Sequence, residues 1–260
     1  MARIIWMSDL HFADDGPVMG HDPVARVSRA VDHVVAHYGD ADCVILSGDL
    51  VNHGSDSAYL ALRGHLDRIG LAYYPLMGNH DLRKHMLAAL PVPEDRLDGF
   101  VQYEVTLPGL RVICLDTHIE GAGDGELCPE RLDWLKQRLA EQSGVPVMIF
   151  MHHPPFDLGL PAQDETKLRD GEAFWDVIEG GDVVQLCMGH VHRPVCGVKR
   201  GVPFAVMKSV LLQAPAPRPN WGFDNFRTAP EPPALGVIEV NGRDVTVQFV
   251  EFCAAGDGVV

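Results

Sequence analysis

Basic side chains are scarce in this sequence. Its 260 residues include 21 lysines and arginines against 36 aspartates and glutamates, which gives a formal net charge of −15 at pH 7. Such a surface repels polyanions, so a nucleic-acid binder held by a basic patch and a protein bound electrostatically to an anionic membrane are both disfavoured. Small phosphate esters are not excluded, because bound cations can make a single pocket locally positive.

Long apolar runs and paired cysteine motifs are also missing. No run reaches the length of a membrane-spanning helix, and the apolar run before Ser8 is too short for the hydrophobic part of a signal peptide. The six cysteines contain no C-x-x-C pair, and several fall inside apolar runs, where a free thiol behaves as a small core residue. A disulfide framework is therefore not expected, and the pattern favours a reduced, cytoplasmic protein.

Apolar periodicity divides much of the chain into short strands and helices. Buried strands are predicted at residues 3–7, 43–47, 73–77, 145–151 and 183–188. Amphipathic helices are predicted at residues 23–38, 57–69 and 129–139. This alternation of strand and helix is typical of a layered α/β protein.

Three further pairs of extended segments predict antiparallel hairpins. They lie at residues 100–116, 195–208 and 235–251, and the last pair turns at Asn241-Gly242, which is a strong hairpin signal. A parallel core combined with hairpins indicates two mixed β-sheets that pack face to face and are flanked by helices. We therefore expect an α/β (α+β) fold with four layers, an αββα sandwich, and a single domain spanning residues 1–260.

One stretch, residues 214–233, departs from this pattern because it is rich in proline and carries Trp221, Phe223 and Phe226. Such a segment cannot continue a helix or a central strand. It is either a rigid surface loop or, because exposed aromatic side chains usually have a partner, a flap over the substrate or an oligomer contact.

Side chains of metal-ligand type follow the ends of five predicted strands. They are Asp9 and His11, Asp49, Asn79 with His80, His152, and His190 with His192. Strand ends gather at one edge of a sheet, which is where open α/β folds bind ligands. Residues i and i+2 of extended backbone project to the same side, so Asp9 with His11 and His190 with His192 can each supply two ligands to one cluster.

Three glycines, Gly48, Gly78 and Gly189, directly precede these positions. A glycine there permits backbone conformations and close approaches that a Cβ atom would block. Each short motif is weak alone, since a Gly-Asp pair after a strand is commonly a turn. Their combination in this order, each at a strand end, is specific.

The series Asp9-x-His11, Gly48-Asp49, Gly78-Asn79-His80-Asp81, His152 and Gly189-His190-x-His192 resembles the calcineurin-like metallophosphoesterase family, over residues 3 to about 208. Longer matches, such as Met151-His152-His153-Pro154-Pro155, are similar to the branch that contains bacterial cyclic-nucleotide phosphodiesterases and glycerophosphodiesterases. The resemblance implies a pair of β-sheets flanked by helices, with a dinuclear metal site at the strand ends.

The resemblance also implies roles for single residues. Asp9, His11 and His192 would bind one metal, and Asn79, His152 and His190 would bind the other. Asp49 would bridge both metals. His80 is the position that contacts the scissile phosphate and assists the leaving group in this family. None of these positions is replaced, so the sequence does not resemble an inactive member.

The donor set constrains the metal. Three oxygen donors and four imidazoles without a thiolate favour two divalent or trivalent transition metal ions (Fe, Mn, Zn or Co) over calcium. Two cations about 3.5 Å apart can share a bridging water and lower its pKa, so that a metal-bridging hydroxide attacks phosphorus in line. The leaving oxygen needs a proton or a strong hydrogen bond, for which His80 is suited.

The expected function is hydrolysis of a small phosphodiester, either a 3′,5′-cyclic nucleotide or a glycerophosphodiester. The alternatives are a phosphomonoesterase, a pyrophosphate hydrolase acting on nucleotide lipids, and a metal-binding scaffold without catalysis. We expect residues 118–126, 154–166 and 214–233 to form the wall that selects the substrate. The second segment contains no arginine or lysine, which favours diesters over monoesters.

Several points stay open at this stage. The resemblance suggests a homo-oligomer, and the physiological substrate is not encoded in the motifs. Asp81 could orient His80 or could cap the following helix. His53, His118 and His153 lie near predicted strand ends and could reach the site.

Overall fold

Eleven β-strands form in the part of the chain that the structure, a computed structural model, describes, namely residues 1–141, 144–218, 222 and 227–260. They are β1 (Ala2–Met7), β2 (Cys43–Leu46), β3 (Tyr73–Pro75), β4 (Tyr103–Leu107), β5 (Leu110–Cys114), β6 (Val147–Met151), β7 (Val183–Met188), β8 (Val195–Lys199), β9 (Val202–Val206), β10 (Ala234–Asn241) and β11 (Asp244–Glu251). The five buried strands and three hairpins that the sequence predicts are all confirmed.

The helices of the described residues are α1 (Pro23–His37), α2 (Asp56–Leu66), α3 (Arg83–Ala89), α4 (Pro129–Ala140) and α5 (Gly171–Ile178). Helix α1 starts where Pro23 fixes the first turn and the Asp22 side chain accepts a hydrogen bond from the backbone N–H of Ala25. Helices α3 and α5 were not predicted. None of these helices is long and apolar enough to cross a membrane.

The strands form two mixed sheets, as the sequence predicts. The first has the order β11-β10-β1-β2-β3, and the second has the order β4-β5-β6-β7-β9-β8. Strands β1, β2 and β3 pair in parallel, as do β5, β6, β7 and β9. Antiparallel hairpins form one edge of the first sheet and both edges of the second.

The side chains of β6 point alternately into two different cores, which shows how the layers pack. Met148 and Phe150 belong to the core between the two sheets, whereas Ile149 and Met151 belong to a second core beneath helices α4 and α5. Helices α1, α2 and α3 cover the outer face of the first sheet. The order of layers is therefore helix, sheet, sheet, helix, which confirms the predicted αββα arrangement.

The register of the parallel strands brings their carboxyl ends level. Met7 of β1 pairs with Leu46 of β2, and Leu46 pairs with Pro75 of β3. In the second sheet, Met151 of β6 pairs with Met188 of β7. The loops that follow these strands therefore start at matching heights, and all of the predicted ligands lie in these loops.

The two sheets meet at Trp6 and Phe150, whose rings contact edge to face with centroids 5.6 Å apart. We expect Phe150→Ala to lower the free energy of unfolding by about 3–5 kcal/mol, because both partners are fully buried and the cavity cannot be filled by solvent. Val198→Ala, at a side chain 68% exposed on β8, is the control and should cost about 0.5 kcal/mol or less. Urea unfolding of the two variants measures this, and equal losses would contradict the inter-sheet role.

Candidate metal centre

The loops that follow the strands of each sheet continue to pair with one another. The backbone N–H of Asp9 donates to the carbonyl of Gly48 at 3.0 Å, and the N–H of Gly189 donates to the carbonyl of His152 at 3.1 Å. A further hydrogen bond of 3.0 Å, from the N–H of His190 to Asp9 Oδ1, connects the two sheets at this edge. The site is thus assembled from both sheets.

The first group of ligand atoms comes from Asp9, His11, Asp49 and His192. One donor atom from each lies within 4.8 Å of the others, a spacing that can enclose a metal ion. His11 Nε2 lies 3.0 Å from His192 Nε2, and His192 Nε2 lies 3.3 Å from Asp9 Oδ1. Three of the four residues are buried, and His192 is partly exposed.

The second group comes from His152, His153 and His190, which meet the same distance criterion. The predicted ligand Asn79 adjoins it, with its Oδ1 atom 3.0 Å from His190 Nδ1. Asp49 lies between the two groups, because its Oδ2 atom is 3.5 Å from His11 Nε2 and 3.4 Å from His152 Nε2. The seven predicted ligand positions therefore converge on one place.

Backbone carbonyls fix the orientation of two imidazole rings. His152 Nδ1 donates to the carbonyl of Ser47 at 2.8 Å, and His192 Nδ1 donates to the carbonyl of Leu212 at 3.0 Å. Both rings consequently present Nε2 to the cluster. The buried Nε2 atom of His152 makes no hydrogen bond but faces Asp49 Oδ2 at 3.4 Å, so the two atoms could share a cation.

The backbone is strained at the same positions. Seven described residues other than glycine have a positive φ, and five of them are predicted ligands: Asp9, His11, Asp49, His190 and His192. Such conformations cost about 1–3 kcal/mol each and concentrate at functional sites. The strain turns the side chains of adjacent loops towards a common point.

Two glycines permit this crowding. A Cβ atom at Gly48, whose φ is +98°, would lie 2.5 Å from His152 Nδ1. A Cβ atom at Gly78 would collide with the backbone nitrogen and Oδ1 of Asp49. The prediction that these glycines allow close approach is confirmed, since no other residue fits in either place.

The electrostatics of the cluster suit cations. Burial disfavours ionisation of Asp9 and Asp49, but the neighbouring histidines outweigh it and keep the pKa of both carboxyls below the usual value. Burial also opposes charge on His152, yet Asp49 and Asp9 raise its pKa to about 9. Burial lowers the pKa of His11 and His190 to about 3, so these imidazoles stay neutral and keep a lone pair for a metal.

His80 lies on the rim of the cluster, where it is exposed. Its backbone N–H donates to Asp49 Oδ1 at 2.8 Å, and its Nδ1 donates to the carbonyl of Asn52 at 3.0 Å. The ring packs edge to face on His11, with centroids 4.7 Å apart. Because the Asn52 carbonyl occupies Nδ1, Nε2 is the nitrogen left to contact a ligand.

Asp81 has neither of the two roles considered for it from the sequence. It does not contact the His80 ring, and helix α3 begins after Leu82 without a side-chain cap. Instead its carboxylate, which is fully buried, accepts hydrogen bonds from the N–H groups of Leu50 at 3.1 Å and Gly78 at 2.8 Å. Asp81 thus ties the loop of Asp49 to the loop of Asn79.

A tyrosine supports this carboxylate. Tyr59 of α2 donates its hydroxyl to Asp81 Oδ1 at 2.8 Å and accepts the backbone N–H of Leu82 at 3.0 Å. Burial and the charge of Asp49 raise the pKa of the Asp81 carboxyl to about 7, whereas the hydrogen bonds from Gly78 and Tyr59 oppose this rise. Without these donors the buried carboxylate could not keep the two loops together.

Three histidines left open by the sequence have different surroundings. His153 belongs to the second group and is fully buried, with Nδ1 2.7 Å from Thr117 Oγ1 and Nε2 without a hydrogen-bond partner. His118 Nδ1 donates to the carbonyl of Gly78 at 2.9 Å, so it holds the loop that carries Asn79 in place. His53 contacts the Asn52 side chain at the surface.

A cavity of about 730 Å³ opens beside the ligands. Each of the three wall segments expected from the sequence contributes to its lining, with Gly123, Gln163 with Thr166, and Ala214. Beyond the cluster itself, its lining among the described residues carries no charged side chain. The wall is therefore neutral and partly apolar.

Part of this wall was not predicted. Pro17, Val18 and Met19 line the cavity from the loop between β1 and α1. The signal in the sequence is the pair of turn-forming sequences Gly16-Pro17 and Met19-Gly20, directly after the strand end that carries Asp9 and His11. The sequence does not predict this part of the wall, because a turn signal alone does not show which surface the turn faces.

The proline-rich stretch 214–233 is only partly described. Ala214 donates its N–H to the carbonyl of His192 at 2.9 Å, and Ala229 donates to the carbonyl of Gln213 at 2.8 Å. The beginning of the stretch therefore adjoins His192, a predicted metal ligand. Trp221, Phe223 and Phe226 lie outside the described residues, so the flap or oligomer contact stays a prediction.

Comparison with known proteins gives a consistent result. The family profile described as calcineurin-like phosphoesterase matches residues 2–194. A probable cyclic nucleotide phosphodiesterase of Rhodopseudomonas palustris is 34% identical over 260 residues, which covers 98% of this chain and 94% of that protein. A probable glycerophosphodiester phosphodiesterase of Arcobacter nitrofigilis is 27% identical and covers 73% of this chain and 71% of that protein.

Among solved structures, a dimetal phosphatase from Danio rerio superposes with a TM-score of 0.70. The two chains share 17% sequence identity, and the alignment covers 97% of this chain and 99% of the other. At this identity the likeness concerns the fold alone, and it agrees with the two mixed sheets flanked by helices.

The Asp81 network yields a test. We expect Tyr59→Phe to weaken metal binding at least several-fold and to lower the free energy of unfolding by about 1–3 kcal/mol, because Leu82 and Asp81 each lose a buried partner. Tyr73→Phe is the matched control: it loses one hydrogen bond of 2.8 Å to Asp67, away from the ligands, and should affect stability alone. Metal titration and urea unfolding measure both effects, and unchanged metal affinity in Tyr59→Phe would contradict the network's role.

Proposed function

The chain belongs to the calcineurin-like phosphoesterase family, and we propose that it is a metal-dependent phosphodiesterase that hydrolyses small phosphodiesters, either 3′,5′-cyclic nucleotides or glycerophosphodiesters. The observation that carries the proposal is the position of the Asp49 carboxylate between two groups of histidines, at His11 and His152, at the edge of a neutral cavity. Relatives with both substrate names support the choice of substrates.

The residues present fit two metal ions. We assign Asp9, His11 and His192 to one ion, and Asn79, His152 and His190 to the other, with Asp49 shared. Two observations support this assignment: His152 Nε2 makes no hydrogen bond and faces Asp49 Oδ2 at 3.4 Å, and the donor atoms of the first group lie within 4.8 Å of one another. The donors are oxygen and imidazole nitrogen without thiolate, so Fe, Mn, Zn or Co is the proposed metal.

Bound there, such ions would supply Lewis acidity and a water acidified towards neutral pH. The chain's own residues orient the ligands and the substrate. Asp9 and Asp49 provide the negative charge that holds cations, and Asn79 contributes a neutral amide oxygen. The carbonyls of Ser47 and Leu212 keep the rings of His152 and His192 directed at the cluster.

His80 is proposed as the catalytic residue that assists the leaving group. Its Nδ1 is occupied by the Asn52 carbonyl, so Nε2 can donate a proton or a hydrogen bond to the departing oxygen. The hydrogen bond between its backbone and Asp49 Oδ1 places it beside the cluster without making it a ligand.

The neutral wall supports a diester substrate. A phosphomonoester carries a second negative charge, which enzymes usually pair with arginine or lysine. Among the described residues that line the cavity, there is none of either type. A diester needs no such partner, and its organic groups can contact the apolar part of the wall.

Further proposals concern the cellular location, the domain organisation and the oligomeric state. All six cysteines are free, which supports a reducing compartment and hence the cytoplasm. The net charge of −15 supports a small substrate over a nucleic-acid polymer or a membrane surface. We also propose one domain for residues 1–260, since β10 pairs with β1, and a homo-oligomer, which light scattering can test.

A substrate panel tests the main proposal. Purified protein loaded with Mn would be incubated with cyclic AMP, a glycerophosphodiester, a phosphomonoester and a nucleotide diphosphate lipid, alongside metal analysis. We expect turnover of a diester. Preferential turnover of the monoester or the lipid would reassign the substrate class, and release of no product by a metal-loaded chain would identify a scaffold.

His80→Ala tests the leaving-group role. We expect the variant to retain its metals and to lose about 10²–10⁴-fold in kcat, most severely with alkyl leaving groups, which need a proton more than p-nitrophenol does. The control is His85→Ala, at a ring that contacts Asp56 on the surface. Equal losses on activated and unactivated esters would refute the assignment.

Asp49→Ala tests the shared ligand. Because this carboxylate lies between both groups, its removal should lower the content of both metals as well as the activity. Asp56→Ala, at a side chain 72% exposed, provides the control. Metal analysis by mass spectrometry decides, and a variant that still holds two ions per chain would exclude a bridging role.

A further inference from the structure

A small hairpin forms one wall of the catalytic cavity. Residues 17–22 fold back at Met19-Gly20, where the N–H of Val18 donates to the carbonyl of His21 at 2.9 Å and the reverse bond measures 3.0 Å. Both turn residues have a positive φ, +48° at Met19 and +81° at Gly20. This is the two-residue turn that hairpins favour, and its first half lines the cavity.

Met19 is an unusual choice for this position. Turns of this kind select asparagine, aspartate or glycine, because other side chains are strained at positive φ. Burial does not compensate the strain, since Met19 is 57% exposed. An apolar side chain that is held in a strained conformation on the cavity wall therefore points to a role in contacting a ligand.

Residues 254–260 hold this hairpin from outside. Val260 donates its N–H to the carbonyl of Gly20 at 2.9 Å, and Asp22 donates its N–H to the carbonyl of Gly258 at 2.6 Å. His21 also forms an isolated antiparallel bridge with Val259 and is only 8% exposed. The segment therefore pairs with the hairpin much as an additional strand would.

Helix α1 anchors the segment in turn. The side chain of Arg26, which is 1% exposed, donates from Nη2 to the carbonyl of Ala255 at 2.8 Å. Its other terminal nitrogen contacts Cys253 Sγ at 3.4 Å, and Arg29 forms an ion pair with Asp257. Two residues of one helix thus connect the segment to the first sheet, on which that helix packs.

We propose that residues 254–260 are a brace that fixes the hairpin of residues 17–22 as a rigid wall of the cavity, and that Val18 and Met19 on this wall select the organic group of the substrate. The second half of the statement rests on the proposed phosphodiesterase function. A wall fixed before binding lowers the entropic cost of ordering it around the ligand, so the brace acts on KM more than on kcat.

Hydrogen–deuterium exchange tests the brace without a measurement of enzymatic activity. Gly258 has a φ of +75°, and a Cβ atom there would lie 3.1 Å from Arg26 Nε, so Gly258→Ala should loosen the brace. Gly256→Ala is the matched control, because a Cβ atom there would meet nothing within 4 Å. We expect residues 17–22 to exchange about tenfold faster in Gly258→Ala alone, with β1 as the internal reference.

If Gly258→Ala folds poorly, a variant that ends at Cys253 replaces it, because it removes the brace without introducing strain. Residues 17–22 should also exchange faster in this variant than in the wild type. If residues 17–22 exchange at the wild-type rate in the variants that fold, the proposed role of residues 254–260 as a brace is wrong. Because this measurement needs neither metal nor substrate, it stays decisive even if the wild-type protein hydrolyses no diester.

Met19→Asn tests whether this wall selects the organic group of the substrate. Asparagine tolerates positive φ, so the hairpin should exchange no faster than in the wild type, whereas KM for cyclic AMP should rise about fivefold with kcat within about twofold. Methyl p-nitrophenyl phosphate, which carries no nucleoside, should show a smaller change. An unchanged KM for cyclic AMP, or the same change for both esters, would overturn the selecting role.

Discussion

The position of the Asp49 carboxylate is the constraint on which the rest of the site depends. It lies 3.4–3.5 Å from His11 Nε2 and His152 Nε2, in loops that follow different strands, and is 2% exposed. A charge buried this deeply needs strong partners, and the neighbouring histidines supply them in the chain alone. The arrangement could hold metal ions, and the surrounding loops keep the donor atoms in place.

Keeping the donors in place requires strained backbone at five ligand positions. A loop under such strain relaxes unless its neighbours prevent it. Here the two sheets provide the support, with Trp6 and Phe150 in contact between them and the Asp81 carboxylate joining adjacent loops. Stability of the core and geometry of the centre are consequently coupled, although they involve different residues.

The sequence predicts the strands, the hairpins and the ligand series because these depend on local patterns: apolar runs, an Asn-Gly turn, and short motifs at strand ends. It does not predict the role of Asp81, whose partners Leu50 and Tyr59 are distant in sequence. It does not predict the wall at residues 17–19 for a similar reason, since residues 254–260, which hold this wall, are distant in sequence. Helix α3 was missed because it is seven residues long and lacks a side-chain cap.

The ligands are spread from position 9 to position 192 and come from loops of both sheets. A nascent or unfolded chain therefore has no preformed place for a metal, unlike a short peptide motif that closes around an ion. A metal site of this kind needs both sheets paired and packed before its donors lie together. The affinity for metal therefore belongs to the folded chain as a whole and not to any single motif.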